Sequence, residues 1–269
     1  MKKYTKFTIF IGTIILFCSF FAAGKPFKRP VNKSYGDVVP SELELKEYQE
    51  LEHGVLTSVP NAVEENEYFE ETDTSPSGNY TIVIDAGHGG PDPGSIGYKT
   101  KVYEADLNLK ISKMLETKLK SSGINVVMTR TSDAALAEGR GKAFKKRDME
   151  MRKDIIKDIR PNMVVSIHQN SYTSHKLRGA QVFYDKSSEI SKQIAELIQV
   201  EFKKSLPNAN KCTSPGDYYM LKCTAAPSVI VECGFLSHEE EEKLLLTEEY
   251  QQKIVDAIYL GIINFLQTK

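Results

Sequence analysis

At 269 residues, 41% hydrophobic and 26% charged, the chain holds enough apolar material for one sizeable core and lacks the composition of a globally disordered protein. A formal net charge of −1 excludes a globally basic nucleic-acid binder, because phosphate binding needs Lys and Arg concentrated on one surface. Beyond Cys18 in the N-terminal apolar run there are three cysteines and no CxxC pair. That count argues against a complete disulfide framework and against a thiolate metal site of the finger type, while a Cys212–Cys223 bridge stays open.

Lys2, Lys3 and Lys6 precede an almost unbroken apolar run, FTIFIGTIILFCSFFAA, and Lys25, Lys28 and Arg29 follow it. This is the pattern of an export segment over residues 1–24. From Phe7 to Ala23 it stands at the lower limit for crossing a hydrocarbon core of roughly 30 Å, so a cleaved signal peptide and a retained anchor both fit. Any membrane contact is confined to this segment, and bulky Phe17 before Cys18 argues against lipidation. Residues 25–79 change character, with twelve Asp and Glu against five Lys and Arg. This acidic connector holds one short amphipathic pattern, Glu42 to Val55, and reads as a solvated spacer more than as a docking arm. The turn-rich TDTSPSGN closes it, and the catalytic domain is expected over residues 80–269.

After Tyr80, β-branched runs alternate with helical patterns, which predicts an α/β layered domain. The runs are TIVID (81–85), NVVMT (125–129), MVVSI (163–167), GAQVFY (179–184) and SVIVE (228–232). Between them, Leu107, Ile111, Met114, Leu115 and Leu119 recur at helical spacing, as do Ile194, Leu197, Ile198 and Phe202. Gly123 is placed to stop the first helix. Ile254, Ile258, Ile262 and Phe265 give the last helix a single apolar face.

The chemistry-bearing residues stand at or beside strand ends, where an open α/β sheet gathers its site. The first strand ends at Asp85 and enters AGHGGPDPGSIG, a loop whose five glycines permit tight turning around His88. The third strand ends in His168 and the fifth in Glu232. Two imidazoles and a carboxylate are a common ligand set for catalytic zinc, and His88, Glu104 and His168 supply one. Glu232 is left as the base that moves protons. The acidic HEEEE at 238–242 lacks the second His of a HExxH helix, and GRGK at 139–142 lacks the spacing of a phosphate loop. The basic stretch Arg140, Lys142, Lys145, Lys146, Arg147 and Arg152 reads as a solvated helix face, with contact to peptide carboxylates or anionic wall polymers as the second reading. The loop KCTSPGDYYMLKCTAAP (211–227) is expected to form a groove wall with Tyr218, Tyr219, Leu221 and Lys222. Tyr219 and Leu221 are equally compatible with core packing of a short strand.

IDAGHGGPDPGSIG, the Glu104 that follows, VSIHQNS around His168 and VECGFLSH (231–238) together resemble, in order and spacing, the zinc-dependent N-acetylmuramoyl-L-alanine amidases of bacterial cell-wall turnover. The resemblance covers about residues 80–267 and implies a three-layer α/β/α sandwich with a twisted, mostly parallel sheet. It implies one zinc held by His88, Glu104 and His168, with Glu232 as catalytic base. Gln169, Asn170, Tyr219, Leu221 and Lys222 are then candidate substrate contacts. The implied reaction cuts the amide between the lactyl group of N-acetylmuramic acid and the L-alanine of the stem peptide. A short chain behind an export segment looks like the spore-cortex, germination-specific members, whose product feeds muramic lactam formation. That likeness places the protein outside the cytoplasmic membrane or in the forespore intermembrane space, and implies a lipoprotein activator. A zinc deacetylase of wall sugars and a non-catalytic wall-binding regulator are the alternatives. Family members usually carry a small residue where this chain has Gln169, often an apolar one in place of Cys233, and often Asn in place of His238.

Overall fold

The β-branched runs become strands of one six-stranded sheet in the computed structural model, which describes residues 79–209 and 211–268. The export segment and nearly all of the connector lie outside the described residues. The strands are β1 (Thr81–Ala86), β2 (Asn125–Met128), β3 (Met163–Asn170), β4 (Gln181–Tyr184), β5 (Ser214–Pro215) and β6 (Ser228–Phe235), in the order β2-β1-β3-β6-β4-β5. β1 pairs in parallel with β2 and β3, β3 with β6, and β4 with β5, while β4 runs antiparallel to β6. The helices are α1 (Glu104–Ser121), α2 (Gly141–Ile159), α3 (Glu189–Ser205), α4 (Tyr219–Lys222), α5 (Glu239–Leu245) and α6 (Glu248–Gln267). None of the described helices is long and apolar enough to cross a membrane.

Alternation along the strands divides the domain into layers, since successive side chains leave a strand on opposite faces. Ile82, Ile84, Met163, Val165, Ile167, Val229 and Val231 join the apolar stripes of α1, α3 and α6 in one large buried cluster. The stripes are those the spacing predicts, with Leu115, Ile198 and Ile258 fully buried and Met114 and Leu197 at the margin. Gly261 is needed where α6 crosses α3, because a side chain there would meet the backbone of Ile198 at 2.6 Å. The intervening strand residues Val83, Val164 and Ile230 face the other way and form a smaller cluster with Ile156 of α2 and Met220 and Leu221 of α4. Asp85, Ser166, His168 and Glu232 share the parity of this second face. The functional candidates therefore project to one side of the sheet while its other side is sealed.

Local chemistry sets the boundaries. Gly123 takes a positive φ of 78° just past α1, as its position predicts. Ser188 and Thr247 cap α3 and α6 by accepting the backbone N–H of Ser191 and Tyr250. β3 and β6 run further than the sequence runs suggest, through a register shift between His168 and Asn170. Tyr219 and Leu221 lie in the short helix α4, not in a strand. The acidic start of α5 is mostly interior: Glu241 accepts the N–H of Gly179 and Phe235, and Glu242 accepts those of Lys99 and Thr100. These two carboxylates tether loops from opposite sides of the sheet end to one helix.

Candidate metal centre

Three chain segments bring the ligand candidates together. His88 follows β1 in the left-handed region, with φ 61°, an uncommon conformation for a residue with a side chain. His168 lies on β3 beside the register shift, and a strand irregularity of this kind re-aims a side chain. Glu104 opens α1 and is buried. One donor atom from each of the three lies within 4.8 Å of the others. His88 Nε2 is 3.2 Å and His168 Nδ1 2.9 Å from the same oxygen, Glu104 Oε1. The two imidazoles meet edge to face, with ring centroids 5.0 Å apart. Gly87 makes the approach feasible, because a β-carbon there would stand 2.3 Å from the His168 ring.

Glu104 is held on every side. Ser95 N–H donates to Oε2 at 2.7 Å, and Gln169 N–H and the Asn108 amide donate to Oε1 at 3.1 and 3.2 Å. Burial alone would raise its pKa, but His88 and His168 hold it well below the usual carboxylate range. For His88, burial pulls downward and is overcome by the charges of Glu104 and Asp92, which raise it to about 10. Asp92 Oδ2 sits 2.9 Å from His88 Nδ1 and so turns Nε2 toward Glu104. A carboxylate behind a ligating imidazole is the usual way its ring and tautomer are fixed.

Two arginines, Arg152 from the basic stretch and Arg130, which no sequence motif singled out, secure the loop beneath His88. Arg130 donates to the carbonyls of Ala86, Gly87, Ala105 and Ser132. Arg152 is buried, correcting its assignment to a solvated helix face, and donates to Asp85, Asp148 and the carbonyls of Ala86 and His88. Asp85 also accepts from Ser166 and Thr129. Burial would raise its pKa, and Arg152 with these hydroxyls lowers it to about 2.

Glu232 pairs with His168 in register between β3 and β6. It is only 8% exposed, and its Oε2 has no hydrogen-bond partner. Burial dominates its titration and raises it to about 7. An ionisable oxygen left unpartnered in the interior is costly unless it serves something else, and here it lies beside the triad. Two imidazoles, one anchored carboxylate and a separate buried acid fit a catalytic zinc ion, which takes three protein ligands and keeps one position open.

The remaining candidates scatter. Gln169 is buried and donates from its amide to Asn108, behind Glu104 and not into open space. Asn170 ends β3 and caps its own turn, its side-chain oxygen accepting Ser171 N–H. A cavity of about 210 Å³ opens beside His88 and His168, with Tyr218, Tyr219 and Met220 along one wall. Leu221 is instead packed in the smaller core cluster, and Lys222 pairs with Asp217 at 2.6 Å, so neither lines that cavity. Cys212, Cys223 and Cys233 are free thiols, so the 212–223 bridge left open by the sequence is not formed. Cys233 is buried, which pushes its thiol up and leaves it a small apolar filler in the large cluster.

The sequence pattern of the N-acetylmuramoyl-L-alanine amidases matches residues 82–264, the span that carries all four of these side chains. The germination-specific N-acetylmuramoyl-L-alanine amidase of Bacillus subtilis is 34% identical over 192 residues, 70% of this chain and 80% of its own. Among solved structures, the CwlD amidase of Clostridioides difficile, determined in complex with the GerS lipoprotein, shares 41% identity at a TM-score of 0.69. That match covers 71% of this chain and the whole of the other. The catalytic domain of CwlV, an N-acetylmuramoyl-L-alanine amidase from Bacillus (Paenibacillus) polymyxa var. colistinus, follows at 30% identity and a TM-score of 0.63, over 71% of this chain and 99% of the other. A pattern running through the whole described domain, joined to relatives above 30% identity, means that this chain belongs to the N-acetylmuramoyl-L-alanine amidase family.

Proposed function

We propose that this cell-wall amidase is a zinc enzyme of the spore cortex, with His88, Glu104 and His168 holding the metal and Glu232 carrying the proton. The observation that carries the reading is the convergence of two imidazoles on one buried carboxylate beside an acid whose Oε2 is unpartnered. When bound, zinc supplies Lewis acidity that brings the pKa of water down to about 7. Glu104, anchored by Ser95, Asn108 and Gln169, offers a fixed carboxylate, and Asp92 orients His88 with Nε2 toward it. Glu232, raised by burial to about 7, is suited to exchange protons near neutrality. It accepts a proton from water at Oε2 as that water attacks the lactyl carbonyl. As the C–N bond breaks, it returns the proton to the departing L-alanine amine. A lactyl carboxylate and a free stem peptide remain.

The spore role is supported by the germination-specific relative and by the CwlD likeness. Since that structure holds a lipoprotein partner, a lipoprotein is also the activator proposed for this chain. The apolar segment 7–23 would carry the domain across the cytoplasmic membrane, with residues 25–79 as spacer and 80–269 as the catalytic unit. Glu232→Ala tests the assignment: the variant should retain about one zinc per chain and lose roughly 10²–10⁴-fold in turnover. Near-normal hydrolysis by it would remove Glu232 from the reaction. New alanine amino termini in the digest are the expected product, and free acetate would instead support the deacetylase alternative.

A further inference from the structure

The amidase must hold a peptide as well as a carbonyl, and the cavity beside His88 and His168 is the space next to the reacting position. Its charged lining is nearly self-cancelling. Asp85 and Asp148 are both tied to Arg152, which is buried and also serves the carbonyls of Ala86 and His88. Asp92 lies between His88 and Lys145, with one oxygen 2.9 Å from each. Of the six residues in the basic stretch, only Lys145 and Arg152 line the cavity. Arg152 is sealed under it, whereas the Lys145 side chain is 40% exposed. Lys145 is thus the cavity cation that solvent, and therefore a ligand, reaches. Tyr218 and a Tyr219 that is 44% exposed add an aromatic part to the lining.

Lys145 is separated from His88 of the triad by the single carboxylate of Asp92, and two extended residues of a peptide span about 7 Å. The stem peptide of peptidoglycan places an acidic residue second, directly after the L-alanine whose amide is cut. We propose that Lys145 is the specificity residue for this peptide arm, binding the free carboxylate of the second residue and so favouring acidic stem peptides over amidated ones. An ammonium is matched to this role because it donates to a carboxylate with charge assistance, whereas a carboxamide in the same place offers only a neutral oxygen. The sharing of Lys145 with Asp92 couples the two, because an arriving carboxylate meets an ammonium already fixed by the residue that orients His88.

The assignment rests on the amidase reading, and the experiment separates the two. Two soluble N-acetylmuramoyl tetrapeptides, identical except that the second residue carries a carboxylate or a carboxamide, are digested by the zinc-loaded chain and by Lys145→Met and Lys145→Arg. The parent chain should prefer the acid by roughly tenfold in kcat/KM, mostly through KM. Lys145→Met should bring the ratio close to one, and Lys145→Arg should restore most of it. Equal turnover of the two substrates by the parent chain, or an unchanged preference in Lys145→Met, overturns the assignment. Loss of zinc from Lys145→Met with the preference intact also overturns it, since Lys145 would then act only by holding Asp92. Failure of the zinc-loaded parent chain to cut either substrate, both alone and with the lipoprotein proposed as its activator, takes down the zinc-amidase reading and this inference together.

Discussion

The two faces of the sheet are built from the same strands and obey opposite rules. The face under α1, α3 and α6 is predominantly apolar, from Ile82 and Ile84 across to Val229 and Val231, and it bears the bulk of the burial. The face under α2 and α4 begins the same way, with Val83, Val164 and Ile230, but two to four residues further along each strand it turns into Asp85, Ser166, His168 and Glu232. The difference is positional: hydrophobic packing holds the strands in register, and the polar residues sit where β1, β3 and β6 leave that packing. A single face thus combines a small core with a charged network, and the larger apolar cluster on the other face offsets the cost of burying that network.

The sharpest way to break this comparison is Arg152→Met. It leaves Asp85 and Asp148 in the interior without their cation and removes the donor to the His88 carbonyl. About 4 kcal/mol of unfolding free energy should be lost, together with zinc occupancy, read by urea unfolding and metal analysis of the same preparation. Leu115→Ala addresses the opposite face, where a fully buried leucine of α1 faces the sheet. It should cost about 3 kcal/mol through the cavity it leaves, while kcat per folded molecule stays close to that of the parent. A fall in kcat comparable to that of Arg152→Met would show that the faces are not separable. The smallest effect comes from acid. Arg152 and the two hydroxyls lower Asp85 to about 2 in the folded chain, against 3.8 for a free aspartate side chain, so its stabilisation is fully present above about pH 4 and lost as pH falls toward 2. The loss should be about 2 kcal/mol, seen as a drop in Tm that Asp85→Asn no longer shows over that range.

Much of this division can be read directly from the chain. The apolar spacing of Leu107, Ile111, Leu115 and Leu119 defines the buried side of α1, and the β-branched runs locate five of the six strands. The two-residue β5 carries no such pattern, and the antiparallel course of β4 depends on which edge it reaches. Within the site, His88, Glu104, His168 and Glu232 announce themselves because each falls beside the end of a β-branched run or the start of a helix, in or next to a recognisable string. Their supports are harder to see. Arg152 looks like surface charge and Arg130 falls in no motif, because their partners are backbone carbonyls and carboxylates remote in sequence. Asp92 offers one local clue, its position four residues after His88 in the same glycine-rich loop. Leu221 and Lys222 fail as groove residues because a single turn of helix sends one inward and the other to Asp217.

The bare α-carbon at Gly87 carries a consequence for how such a protein can lose its trade. Adding one methyl group there intrudes on the His168 imidazole, which supplies the three nearest atoms. A single substitution at this glycine is therefore a short mutational path toward an inert wall-binding shell, one in which His168 could no longer take its place beside Glu104.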